Sequence, residues 1–123
     1  MWFAASLIIS IRRLDQSSGP ILVTENVVLI EAANAGDALN KAQEIGKSQV
    51  TAAGGFTIDD KPAAKAFVGI RKLSPVSNPA RPDLDHAPPA SGSDITQSLF
   101  EVDDDDALEA LVDGKEVRVA YRE

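Results

Sequence analysis

A chain of 123 residues without cysteine has room for one domain and one core, and it excludes a disulfide framework, a thiolate nucleophile and any cysteine-ligated zinc or iron–sulfur site. Hydrophobic residues at 44% exclude wholesale disorder. The formal charge of −7 belongs to one end: residues 1–93 balance nine acidic against nine basic side chains, while residues 94–123 carry ten acidic and three basic. Without clustered Lys and Arg there is no phosphate-binding surface to expect, so a basic protein is a better match for a partner than nucleic acid.

Met1 to Ile9 is apolar but lacks the basic start and small-residue cleavage site of a signal peptide. The run ends at Arg12-Arg13, short of the ~20 apolar residues that span a bilayer, so a cytoplasmic protein without membrane contact is expected. Phe3, Ala5, Leu7, Ile9 and Ile11 share one parity, with Ser6, Ser10 and Arg12 on the other, which predicts a strand with one buried face. After a turn-rich connection at 15–20, a second strand is predicted over 21–32. So short a connection requires an antiparallel hairpin.

Asn34 is placed to cap a helix, with Asp37 three residues on. Ala35, Ala38, Leu39, Ala42 and Ile45 follow at helical spacing, and Gly46 is the predicted end. Gly54-Gly55 predicts a turn between two short strands within 49–58, Asp59 to Pro62 a further turn, and 64–73 a strand centred on Phe67, Val68 and Ile70. Residues 74–93 hold five of the seven prolines and four serines, which predicts an extended loop inside a single domain spanning 1–123. A strand over 95–102 follows. Asp103 is then the predicted cap of a second helix bearing Ala107, Leu108, Leu111 and Val112, ended by Gly114, and 116–121 is a closing strand. The pattern Asn34-x-x-Asp37-Ala38-Leu39 recurs as Asp103-x-x-Asp106-Ala107-Leu108, which is open to two readings, a duplicated strand–helix unit or, preferred here, convergence on the same capping rules. The fold expected is α+β: a largely antiparallel sheet of four to six strands with two short helices packed on one face.

Trp2, Glu31-Ala32, Ala38, Lys41-Ala42, Ile45-Gly46-Lys47 and Phe67-Val68-Gly69 stand in that order, followed by Phe100-Glu101-Val102, Ala107-Leu108, Leu111-Val112, Gly114-Lys115, Val117, Val119 and Tyr121. In these positions the chain resembles the bacterial family known as domain of unknown function 4288. The resemblance implies a fold and, because that family has no activity to carry over, leaves function open.

Asp103-Asp104-Asp105-Asp106 is the most conspicuous run. The spaced ligands and turn glycine of an EF-hand are missing, so capping and dipole complementation, at ~0.3–1 kcal/mol each, compete with contact to a basic partner. His86 is the only histidine. It could be drawn with Ser93 and Asp83, or with Asp83 and Asp85 around a metal, but a proline-rich loop supplies no rigid second shell. Pro79-Ala80-Arg81-Pro82 has the PxxP form, and Gly54-Gly55-Phe56-Thr57 lacks the lysine of a phosphate loop. No catalytic residue, metal or cofactor is assigned. The expected role is a non-catalytic, inhibitor- or immunity-like protein-binding module that uses its acidic C-terminal third, with Asp104 and Asp105 as candidate partner contacts. A homo-oligomeric accessory protein and a carboxylate-based enzyme are the alternatives.

Overall fold

The N-terminal alternation builds strand β1 (Trp2–Arg13), which turns back into β2 (Ile21–Glu31) as the predicted antiparallel hairpin. In the computed structural model, which describes residues 1–52, 56–76 and 91–122, helix α1 (Ala35–Ala52) follows. Then come β3 (Phe56–Ile58), β4 (Lys61–Val76), β5 (Asp94–Val102), helix α2 (Asp105–Val112) and β6 (Ala120–Tyr121). The strands form one sheet in the order β3-β4-β1-β2-β5-β6, and every neighbouring pair is antiparallel. The α+β class and the strand number are as the sequence indicates. No helix among the described residues is long and apolar enough to cross a membrane.

The two helices do not share a face. Residues directly opposite each other in an antiparallel ladder point the same way. Phe3, Ala5 and Leu7 of β1 therefore face the same side as Val28 and Ile30 of β2, where Ala38, Ala42 and Ile45 of α1 cover them. Ile8 points to the other side, where Ile21, Val23, Phe100 and Val102 form a second core closed by Leu108 and Leu111 of α2. The one-face expectation followed the odd-numbered residues of β1 and passed over Ile8. Leu7, Ile8, Ile9 and Ser10 are all buried in succession, which is the mark of a strand covered on both sides.

Asn34 caps α1 as predicted, its side-chain oxygen accepting from the Asp37 amide at 2.8 Å. The helix nevertheless runs past Gly46 to Ala52. Gly46 is needed inside the helix, where the Phe67 ring of β4 lies so close that a Cβ would stand 2.5 Å from it. The other helix repeats the device in reverse. Gly69 of β4 receives Val112 of α2, and a Cβ there would be 2.6 Å from Val112 Cγ1. β4 can serve both helices because two register shifts against β1 re-aim its side chains.

Asp59 and Asp60, both at positive φ, make the two-residue turn between β3 and β4. The Gly54-Gly55 turn lies outside the described residues, as do residues 77–90 of the proline-rich segment. Ser74 to Val76 belong to β4, and Ser93 leads into β5 by accepting from the Leu29 amide. The closing strand is shorter than 116–121, because only Ala120 and Tyr121 pair with β5. Val117 and Val119 instead pack against the second core.

Asp104, not Asp103, is the N-cap of α2. Its carboxylate accepts from the Ala107 amide at 2.8 Å. The two capping patterns are thus out of frame: Ala38 is buried and Leu39 exposed in α1, whereas Leu108 is buried in α2. Asp104→Ala is expected to cost about 1 kcal/mol, and Asp103→Ala less than about 0.5 kcal/mol, by urea midpoint. Equal midpoints for the two variants would remove Asp104 from the cap.

Candidate functional site

The acidic third folds into β5, α2 and β6, which concentrates carboxylates around α2. Both residues singled out from the sequence are engaged within the chain. Asp104 caps the helix, and Asp105 pairs with Arg12 reaching across from β1. The hydrogen bond from Arg12 holds the Asp105 carboxyl below its ordinary pKa, against an opposing desolvation and with the guanidinium charge adding to the lowering. Asp103, Asp106, Glu109, Asp113 and Glu116 are exposed, and none of them joins an ion pair among the described residues.

These five do not stand in equivalent places. Asp106 is in the first turn of α2, where a negative charge complements the helix dipole. Glu109 lies toward the other end and Asp113 is the C-cap, where negative charge opposes it, and no Lys or Arg occupies the last turn. The cation supplied there comes from β4: Arg71 donates from Nη1 to the Leu111 carbonyl. The signal for this conflict was present in the sequence, in acidic residues placed just before Gly114.

Three surface grooves accompany these elements. The first, about 540 Å³, lies beside α1 between Lys41, Glu44, Gln49 and Ser91. Gln49 accepts from Asn26 and donates to Asp94, each at 3.0 Å, so the Asp94 carboxylate orients both amides. That orientation leaves the buried Asn26 Oδ1 without a partner. The second groove, about 480 Å³, has Ile11, Leu22 and Ile58 as its apolar floor, with Glu101 and Arg122 paired at its rim. The third, about 540 Å³, runs between α2 and the β1–β4 side of the sheet, over Ala66 and Val68 and beneath Glu109 and Asp113. No group of three or more metal-ligating side chains occurs among the described residues. His86, Asp83, Asp85 and the Pro79 to Pro82 element lie outside them.

An antiparallel α+β domain with one helix on each face of its sheet, the C-terminal one acidic, is the class these features define. Residues 2–85 match the family described as Domain of unknown function (DUF4288), and the chain belongs to that family. The match takes in β1, β2, α1, β3 and β4, whereas β5, α2 and β6 lie beyond it. No curated protein and no solved structure matches the chain.

Proposed function

We propose that the protein is a small non-catalytic binding module whose acidic α2 surface meets a basic protein partner. The observation that carries this reading is the set of exposed carboxylates on and around α2, of which only Asp105 has a cation from the chain itself among the described residues. Self-association has less support. The β3 and β6 edges are three and two residues long, and β4 carries Pro75 and two register shifts, features that discourage edge-to-edge pairing.

The test begins by capturing partners on the immobilised protein at low and high salt. It then measures association of the purified partner with an Asp103→Asn/Asp106→Asn variant, which removes charge from positions that neither cap nor pair. Exposed charges attract over ~8 Å at physiological salt and act mainly on association rate. The variant should associate more slowly, with a flatter salt dependence and an unchanged fold. Identical kinetics at low salt would reject the acidic surface as the binding site.

A further inference from the structure

The carboxylates at the start of α2 have a structural explanation in capping and the helix dipole. Glu109 and Asp113 have none. They oppose the dipole at the end where they stand, and among the described residues neither has a cationic partner. Departures from a local rule of this kind mark positions held for another purpose.

Both residues line the groove between α2 and the sheet. They are four residues apart on one helix, so their Cβ atoms are about 5–6 Å apart and their carboxylates can reach one cation between them. The floor below is apolar: Ala66, Val112 and Val68, which is 36% exposed at the β4 irregularity. Ser10 also lines the groove. It is only 3% exposed, and its hydroxyl makes no hydrogen bond among the described residues. Its hydroxyl is therefore open to a donor or acceptor that enters the groove. Arg12 is the guanidinium at the groove, and it is taken up by Asp105.

Resting on the acidic-surface reading above, we propose that this groove is the anchor point of the basic partner and takes one lysine side chain. The methylene stem lies over Val68 and Val112, and the ammonium donates to Glu109, Asp113 and the Ser10 hydroxyl. An ammonium has three donors and a stem that packs on apolar surface, which is the complement of this lining. A hard divalent cation, by contrast, requires six or more oxygen ligands.

The experiment titrates isotope-labelled protein with the blocked tripeptide Gly-Lys-Gly and with its norleucine analogue, following backbone amides by NMR. The lysine peptide should shift Ser10, Ala66, Val68 and Val112. Its apparent affinity should fall about fivefold or more in Glu109→Gln/Asp113→Asn and stay at the parent value in Asp103→Asn/Asp106→Asn. Because the groove variant removes charges that oppose the dipole, its Tm should equal or exceed that of the parent, so lost binding cannot be ascribed to unfolding. Equal shifts from the norleucine peptide would overturn the proposal, as would no lysine-dependent shift in the groove. Shifts confined to Asp103 through Asp106 would also overturn it, while leaving the wider acidic-surface reading standing.

Discussion

Leu108→Ala is expected to destabilise the protein by about 2–5 kcal/mol, the range for a buried leucine whose site cannot collapse around the loss. Leu108 is 5% exposed and packs in the second core with Ile8, Ile21, Val23, Phe100 and Val102, which come from three different strands. Relaxation toward the vacated volume would require those strands to move together, and they are tied by ladder hydrogen bonds. The helix itself is at stake as well. At eight residues α2 is too short to persist in water without packing. The urea midpoint should therefore fall sharply, and a midpoint within error of the parent would place Leu108 outside the core.

Gly46→Ala sets two effects against each other. Alanine in a helix interior is worth about 1 kcal/mol over glycine. Overpacking a filled site costs about 1–3 kcal/mol. The distances decide between them: the new methyl would stand 2.5 Å from two carbons of the Phe67 ring and 2.8 Å from a third. An aromatic ring cannot bend away from such a contact as a flexible chain end can, and Phe67 is held against the first core. The expected result is a net loss of stability. Phe67→Leu should cost less in the Gly46→Ala background than in the parent, because the smaller side chain relieves the clash. A Gly46→Ala protein as stable as the parent, or additive effects in the double variant, would show that ring and helix are not in register.

Much of the fold was legible because its signals are local. The β1–β2 hairpin follows from two apolar runs and a short polar connection, and the start of α1 from Asn34 and the alanine spacing after it. What could not be read depended on residues distant in the chain. Gly46 looks like a helix terminus until Phe67 is placed beside it, and Ile8 looks incidental until Phe100 and Leu108 give it a core of its own. The acidic run was visible, but the choice of Asp104 over Asp103 as cap rests on the extended backbone of Asp104 and the reach of its carboxylate to the Ala107 amide. The occupation of Asp105 rests on Arg12, which is 93 positions away. Glu109 and Asp113 needed only the direction of the helix dipole, and they were overshadowed by the denser run before them.

The division of the sheet's two faces between separate stretches of chain has a consequence in time. Synthesis proceeds from the N-terminus. Every residue of the first core, from Phe3 to Leu73, exists once β4 has been made. Ile8, Ile21 and Val23 are present at that moment too, but Phe100, Leu108 and Leu111 are not. During that interval the residues that fill one face of the sheet are all present, while those that cover the other face are still to be made. The interval lasts as long as the translation of the proline-rich segment and the strand beyond it, and it closes when α2 arrives.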